Sequence, residues 1–528
     1  HPVNPLANHT LAGTIPPMNR ARHLLQSSII VIFFLAIDKV LGLVRTQLVG
    51  ATFGTGPAYD AFTAANQLPE LFVTIISGGA LAAALIPVYS AYLTSSKGKE
   101  TAQLANTILT LVLLVLGSVS FVGAIFAPWI TRVLLVPGFP PEQQALTADI
   151  MRIILVQTTI FGLSGVISSI LNAHQHFVLP AMAPITLDVG YLLGLFLLAP
   201  SMGILGLAWG TVIGAVFHVL IQVPGLLKYR VYLRPELVLR LSGVAEIVRL
   251  MIPRIITLGT VQAADLFIIR ITSSLDSGAT SGYFYGYYLQ QLPETLFGTA
   301  IAVVLFPTMA ERFNAGDIGG LKRVASNGLR IIWMLTVPSA AALVLLGRPL
   351  ISLLLERGEF TSESTDLVYG IVVFFSVRVV SEATLEIAAR LFFAQHNTRT
   401  PMFVALGWMV LNVALAYLLV GPLGVGGLAL ATSIAFTLQT AVLLYLNHRK
   451  LNGLDWKGLG LSFGRTAVAT LGMSVIVLLV GRFIDNTLLF LLLAISLGIV
   501  TYGALQILLG GREIPTLIAL FRGKADTQ

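Results

Sequence analysis

Cysteine is absent from the 528 residues, and charge is scarce, since Asp, Glu, Lys and Arg together make up only 11%. The first absence excludes disulfides, thiolate nucleophiles and Cys-ligated metals. The second excludes an ordinary soluble enzyme, because soluble domains carry about 25% charged residues. A disordered chain is excluded as well, since 56% of the residues are hydrophobic. A polytopic helical membrane protein is the class that remains.

Sequence motifs for nucleotide or metal chemistry are also missing. The chain has no Walker motif, no dinucleotide-binding glycine loop and no HExxH, and its 8 histidines lack metal-ligand spacing. We therefore expect no metal, no cofactor and no ATP-driven pumping by this chain alone. The net charge of +8 lies in loops between apolar segments, which indicates membrane topology rather than nucleic-acid binding. The polar start of the chain lacks the apolar core of a signal peptide.

Apolar runs predict an all-α membrane protein with about fourteen transmembrane helices. Proline and glycine interrupt several of the runs, which membrane helices tolerate when neighbours satisfy the freed backbone groups. The predicted spans are 27–49, 61–92, 104–134, 146–172, 178–199, 203–227, 244–272, 282–310, 325–355, 364–394, 401–420, 424–447, 463–483 and 487–509.

Lysine and arginine set the predicted orientation. With the N-terminus in the cytoplasm, 20 of the 32 basic residues fall in cytoplasmic segments and 4 on the opposite side. Cytoplasmic loops of membrane proteins carry such an excess of positive charge. An even number of spans then leaves both termini in the cytoplasm.

An internal repeat relates the two halves of the chain. Ala173 and Thr211 are 38 residues apart, and the same spacing separates Ala394 from Thr432, in similar sequence contexts. A repeat unit of six helices keeps its orientation, so we predict two six-helix lobes in a parallel repeat, plus two extra C-terminal helices. The predicted divisions are a polar N-terminal tail 1–23, an N-lobe 24–227, a cytoplasmic linker 228–243, a C-lobe 244–447, a cytoplasmic loop 448–462, the extra helices 463–510 and a C-terminal tail 511–528.

Ionisable residues inside predicted spans are costly in lipid and indicate a polar cavity. Asp38 and Arg45 share one helix face but lie two turns apart, so each needs another partner. Snorkelling toward an interface is the alternative for Arg45. Asp188 in another span has a structural interpretation. The candidate substrate-binding residues chosen on charge are Asp38, Lys39, Arg45, Arg254, Asp265, Arg270 and Glu294.

The predicted span 364–394 carries the most regular charge. Arg378, Glu382, Glu386 and Arg390 recur every four residues, which predicts two Arg–Glu pairs along one helix. Three roles remain open: an ion-pair ladder that holds the C-lobe together, substrate binding, or a network that couples transport to an ion.

Five segments resemble the MurJ (MviN) family of lipid II flippases, within the multidrug/oligosaccharidyl-lipid/polysaccharide exporter superfamily. They are residues 38–45 (DKVLGLVR), 53–62 (FGTGPAYDAF), 67–71 (QLPEL), 79–87 (GALAAALIP) and 388–401 (AARLFFAQHNTRTP). The resemblance implies a V-shaped fold of two lobes, a central cationic cavity for a diphosphate-sugar headgroup, and a groove toward the last two helices for the polyprenyl tail. It also implies peptidoglycan biosynthesis at a bacterial cytoplasmic membrane.

The resemblance carries over three residues. First-helix arginines of the family fall on Lys39 and Arg45, and its second-helix aspartate falls on Asp60, which joins the candidate site. The departures are Val73, Thr74 and Tyr288, where the family commonly has arginine, and Gly78, where it has glutamate. Phosphate recognition would then depend on Lys39, Arg45 and either Arg254 or Arg270.

The predicted function is therefore translocation of a lipid-linked peptidoglycan precursor, lipid II, from the inner to the outer leaflet by alternating access. Expected partners are that precursor, membrane lipids and a monovalent ion as a candidate for coupling, with no nucleic acid, and the chain is expected to be a monomer. The alternatives are a flippase for another lipid-linked oligosaccharide, a cation-coupled drug exporter of the same superfamily, and a membrane enzyme. The enzyme would use an outer acidic cluster of Glu356, Glu359, Glu363 and Asp366.

Overall fold

The computed structural model describes residues 17–75, 79–95 and 98–511, together with 513 and 515. Most of the predicted N-terminal tail 1–23 and nearly all of the C-terminal tail 511–528 lie outside the described residues. Lys97 and Gly78 lie outside them too.

The described part of the chain is helical and contains no strand. Its principal helices are α1 (Pro17–Phe53), α2 (Pro57–Ile75), α3 (Leu81–Thr94), α4 (Gly98–Leu135), α5 (Pro141–Ala173), α6 (Val178–Met202), α7 (Ile204–Lys228), α8 (Ser242–Thr272), α9 (Ala279–Asn314), α10 (Ile318–Leu355), α11 (Ser362–Ala394), α12 (Arg399–Lys450), α13 (Trp456–Phe483) and α14 (Thr487–Leu508).

The predicted helical fold class is confirmed, with differences at the helix ends. The helix α1 starts at Pro17 rather than at 27, because an apolar run locates only the part of a helix that is hydrophobic. Two predicted spans, 401–420 and 424–447, appear as the single element α12. Within α12 the backbone of Gly424 (φ 56°, ψ −139°) is not helical, so the chain bends there.

Ten of the described helices are long and apolar enough to cross a membrane. The other four helices named above are α1, α2, α3 and α11. Of these, α3 is apolar but only 14 residues long. The charges in α11, among them Arg378 and Glu382, explain its low apolarity. The count of fourteen spans stays a prediction.

The backbone confirms the internal repeat. Gly203 (φ 58°, ψ −136°) and Gly424 have nearly the same unusual conformation, and they are 221 residues apart (424 minus 203). Gln175 and His396, also 221 apart (396 minus 175), share positive φ values of 59° and 57°. The helices α5 and α11 are both 33 residues long, and α4 and α10 are both 38. The two halves therefore fold alike.

The hydrophobic core joins the two lobes at one end of the molecule. One buried cluster contains Phe62 and Met151 from the N-lobe together with Tyr283, Phe284 and Phe375 from the C-lobe. Separate clusters fill the rest of each lobe. The last two helices, α13 and α14, pack against α10, where Leu346, Met473, Val477, Leu491 and Ala494 form a buried cluster. They therefore extend the C-lobe.

Candidate functional site

The two lobes contact each other where α1 ends and α2 begins. The carboxylate of Asp60 accepts hydrogen bonds from the backbone N–H groups of Gly278 (2.6 Å) and Ser281 (2.7 Å) at the start of α9. Asp60 is 1% exposed. A carboxylate at the first turn of a helix satisfies amide groups that have no partner within the helix. Asp60 thus belongs to the contact between the lobes, and it does not line the cavities described below.

Two glycines allow the backbones of the lobes to meet at this contact. The backbone N–H of Glu359 donates to the carbonyl oxygen of Ala51 over 2.9 Å. Gly54 and Gly358 both have φ of 58°, and a Cβ on either would overlap the carbonyl oxygen of Glu359 or of Ala51, respectively. Only glycine is free of both the conformational and the steric penalty here. This explains why glycine stands at position 54 in the segment 53–62.

Side-chain hydrogen bonds add to this contact. We call the whole contact between the lobes, from the Asp60 hydrogen bonds to the bonds described next, the seam. Thr55 and Ser364 share a hydrogen bond of 2.8 Å between their hydroxyl groups. The side-chain amide of Gln47 donates to the carbonyl oxygen of Leu354 over 2.7 Å. These residues lie far apart in the sequence, and each bond runs from one lobe to the other. The seam closes this end of the space between the lobes.

Two adjoining cavities lie behind the seam, with volumes of about 80 Å³ and 260 Å³. The smaller has room for about two or three water molecules, at about 30 Å³ each. Both are lined by Arg45 and Thr46 from α1 and by Tyr285 and Tyr288 from α9. The larger also has Asp38, Lys39 and Asp188 in its wall. The space between the lobes is therefore polar on its α1 and α6 side.

Arg45 forms an ion pair with Asp188 of α6. Its Nη1 donates to Oδ1 over 2.7 Å, and the guanidinium lies 4.7 Å from the centre of the Tyr191 ring. Asp38 instead lies 3.5 Å from Lys39, so Asp38 and Arg45 do take separate partners. From the sequence, Asp188 had only a structural interpretation. Its signal was a carboxylate within an apolar span, but the sequence does not show which cation it faces.

Lys39 is the most accessible of these charges. Its side chain is 72% exposed, against 18% for Asp38 and 31% for Arg45. It therefore stands at the entrance of the larger cavity, with Arg45 further in.

A second charged group lies in the C-lobe, where the two pairs predicted from the spacing in α11 both form. Arg378 donates from Nε and Nη2 to the two oxygens of Glu382, over 2.9 Å and 3.1 Å. The Arg378 guanidinium is buried 4.3 Å from the centre of the Phe436 ring, and Gln290 donates to Glu382. The second pair joins Arg390 and Glu386.

The remaining candidates do not line the two cavities. Asp265 of α8 lies within electrostatic range of Arg378. Glu294 is buried and accepts hydrogen bonds from Thr295 and Thr299 in its own helix. Arg270 donates to backbone carbonyl groups at the end of α4, and Arg254 is exposed on α8. The structure thus brings Asp38, Lys39 and Arg45 together at the cavities, and the other candidates lie elsewhere in the fold.

Charge around the cavities is balanced in the described part of the chain. Lys39 and Arg45 each face a carboxylate, and so do the two arginines of α11. The central cationic cavity that the resemblance implies stays a prediction. Tyr288, which stands where the family commonly has arginine, lines both of the described cavities.

The outer acidic cluster makes local structural contacts. Glu356 accepts a hydrogen bond from Thr365 (2.9 Å), and Asp366 pairs with Arg348 (2.7 Å). Among the described residues, no group of three or more His, Asp or Glu side chains is placed to hold a metal ion. The enzyme alternative gains no support from this cluster.

Sequence comparison decides the family. The profile of the family described as lipid II flippase MurJ matches residues 49–498. This chain belongs to the MurJ family. A probable lipid II flippase MurJ of Vibrio cholerae serotype O1 is 30% identical over 438 residues, covering 80% of this chain and 82% of that protein. A lipid II flippase MurJ of Burkholderia cenocepacia is 28% identical over 425 residues, covering 79% of this chain and 82% of that protein. MurJ proteins are transporters rather than enzymes.

Solved structures agree on the fold. A lipid II flippase MurJ in an inward closed conformation superposes with a TM-score of 0.79 at 23% identity, covering 91% of this chain and 98% of that one. An inward-facing MATE family multidrug transporter of the MOP superfamily superposes with a TM-score of 0.68 at 14% identity, covering 80% of this chain and 98% of that one. This chain therefore shares its two-lobe architecture with these MurJ and MOP superfamily structures. It is a multi-pass membrane protein.

Proposed function

We propose that this chain moves lipid II across the cytoplasmic membrane of a bacterium, from the inner to the outer leaflet. Membership of the MurJ family carries this proposal. The two lobes, the seam and the charged cavities behind it supply the parts that alternating access requires. No bond is made or broken, and the polyprenyl tail stays in the bilayer.

The seam lies at the outer face in this proposal. Exposed basic residues cluster at the opposite ends of the helices, at Lys228, Arg230, Arg234, Arg449 and Lys450. Positive charge of this kind marks the cytoplasmic side. The N-terminus of α1 is then cytoplasmic, and the state described here is closed toward the outside.

Headgroup recognition begins at Lys39 and continues at Arg45. Both cations are paired with carboxylates, so a diphosphate binds by displacing these carboxylates from Lys39 and Arg45. An arginine makes two parallel hydrogen bonds to phosphate, and each bond to an ionised group is stronger than a neutral one. The exposed Lys39 meets the diphosphate first, and Arg45 exchanges Asp188 for it deeper in the cavity. Asp38 and Asp188 take the cations back when the substrate leaves.

Transport then requires the seam to open. Rocking of the lobes separates the Asp60 carboxylate from the amide groups of Gly278 and Ser281 and exposes the cavity to the outer face. In this proposal the lobes are residues 24–227 and 244–447, and residues 228–243 are the linker that joins them. The group formed by the buried Arg378 with the half-buried Glu382 and Asp265 is the network through which we propose that a monovalent ion drives this motion.

Reconstituted protein tests the proposal. Lipid II in proteoliposomes becomes accessible to an enzyme added outside only when it is flipped. Replacing Arg45 with Ala, or Lys39 with Ala, should slow translocation at least about tenfold, as expected for a lost charge-assisted phosphate contact. The control is Arg152→Ala, because Arg152 pairs with Asp149 on the exposed surface. Translocation by the Arg45→Ala and Lys39→Ala variants at the rate of the Arg152→Ala control would remove Lys39 and Arg45 from the mechanism.

The drug-exporter alternative rests on the similarity to the MATE fold. The same proteoliposomes can be loaded with a fluorescent organic cation under a sodium or proton gradient. Gradient-driven movement of the dye without lipid II translocation would favour the exporter.

A further inference from the structure

A long apolar groove runs along the boundary between the lobes, separate from the cavities behind the seam. Its volume is about 1020 Å³, and its walls come from α2 and α4 of the N-lobe and α8 of the C-lobe. It shares no lining residue with the two cavities. Every lining side chain except one is apolar, and the exception is Arg270.

The groove faces the bilayer. Phe126, Trp129 and Leu134 line it and are 53%, 54% and 50% exposed. Exposed apolar side chains on membrane-spanning helices contact lipid chains. Tryptophan is enriched where the hydrocarbon meets the headgroups, and Trp129 lies near the end of α4. A hydrocarbon chain fits this surface.

Arg270 gives the groove a charged end. Its Nη1 donates to the carbonyl oxygens of Val133 and Leu134, where α4 finishes in a π-helical turn. In the part of the chain that the structure describes, no carboxylate lies within ion-pair distance of Arg270, and its other nitrogens have no hydrogen-bond partner. The guanidinium is thus held in place by neutral groups.

We propose that this groove binds one phospholipid of the outer leaflet with an anionic headgroup. The acyl chains occupy the apolar walls, and the phosphate accepts hydrogen bonds from the free nitrogens of Arg270. Both lobes build the groove, so the bound lipid stabilises the arrangement in which the seam is closed. This site does not depend on what the protein transports.

Headgroup charge decides which lipid binds. The apolar walls of the groove are about as favourable for an acyl chain as the surrounding lipid chains are. The walls therefore contribute little to the choice between lipids. Arginine forms strong paired bonds with phosphate. Both kinds of lipid carry that phosphate, but a zwitterionic headgroup adds a cation that repels Arg270, so the charge of Arg270 favours the anionic lipid.

The test is native mass spectrometry of the full-length protein titrated with phosphatidylglycerol or with phosphatidylcholine. We expect one phosphatidylglycerol site whose Kd rises about tenfold in Arg270→Ala. The matched control is Arg132→Ala, since Arg132 is an exposed cation at the same end of α4 that does not line the groove. Ala263→Trp, which fills the groove and leaves Arg270 in place, should also abolish this site.

Thermal melting in detergent shows that each variant is folded before its lipid binding is compared. Three results would each overturn the proposal. They are unchanged phosphatidylglycerol affinity in Arg270→Ala, equal weakening in Arg132→Ala, and phosphatidylcholine binding as tight as that of phosphatidylglycerol in the unmodified protein. Retained binding in a folded Ala263→Trp variant would place the lipid elsewhere and would equally reject the groove.

Discussion

Arg45 and Asp188 lie 143 residues apart in the chain and form a 2.7 Å ion pair at the cavity between the lobes. The carboxylate holds the cation in place and at the same time competes with phosphate for it. A flippase must release its substrate on the far side, so a cation with a resident partner suits repeated binding and release.

Replacing Asp188 with Asn should tighten binding of the diphosphate several-fold, because Arg45 no longer has an anionic partner. The same change should slow release and therefore turnover. Binding of lipid II to the purified protein and translocation in proteoliposomes measure the two effects separately. Asp149→Asn is the control, since Asp149 pairs with Arg152 on the exposed surface. Weaker binding in Asp188→Asn would show that the aspartate itself contacts the substrate.

Replacing Asp60 with Asn should loosen the seam. An amide oxygen accepts hydrogen bonds from Gly278 and Ser281 more weakly than a carboxylate does. The chain has no cysteine, so a single Thr46→Cys reports access to the cavity behind the seam. We expect faster labelling of that thiol by an impermeant maleimide added on the seam side in Asp60→Asn. Labelling at the original rate would mean that the Asp60 charge does not hold the lobes closed.

Replacing Gly54 with Ala should force the seam apart, because the new Cβ overlaps the carbonyl oxygen of Glu359. Gly424 provides the comparison. Its φ is 56° and its ψ −139°, which only glycine adopts freely, yet a Cβ there would meet nothing within 4 Å, so Gly424→Ala adds only backbone strain of about 1–3 kcal/mol. The Thr46→Cys reporter should label faster in Gly54→Ala than in Gly424→Ala. Identical labelling would contradict the close approach of the lobes at the seam.

Replacing Arg378 with Met should destabilise the protein by about 3–5 kcal/mol, because Glu382 is left as an uncompensated charge in the C-lobe. Removing both charges in the double variant Arg378→Met, Glu382→Met should restore most of the thermal stability. If the network couples an ion to transport, the restored variant folds but loses the dependence of translocation on the ion gradient. Full gradient dependence in that variant would leave the pair with a structural role.

Residue patterns within one helix predicted what local periodicity determines. The two Arg–Glu pairs of α11 follow from a spacing of four, and the internal repeat follows from matching segments 221 residues apart (394 minus 173). The bend at Gly424 agrees with the predicted spans, because one of them ends at 420 and the next begins at 424.

Contacts between the lobes were beyond sequence reasoning. The partners of Asp60 are backbone amide groups, which leave no residue-type signal, and only the family resemblance drew attention to this aspartate. The close approach at Gly54 and Gly358 depends on how two loops far apart in the chain meet. The partner of Arg45 depends on how α1 packs against α6.

The most direct test of alternating access is a crosslink across the seam. Thr55 and Ser364 lie on opposite lobes with their hydroxyl oxygens 2.8 Å apart, so Thr55→Cys combined with Ser364→Cys should form a disulfide on oxidation. Lipid II translocation in proteoliposomes is then measured before oxidation, after oxidation and after reduction. We predict that translocation stops when the seam is locked and resumes when the disulfide is reduced. Undiminished translocation by the fully crosslinked protein would contradict a mechanism in which the lobes part at this seam.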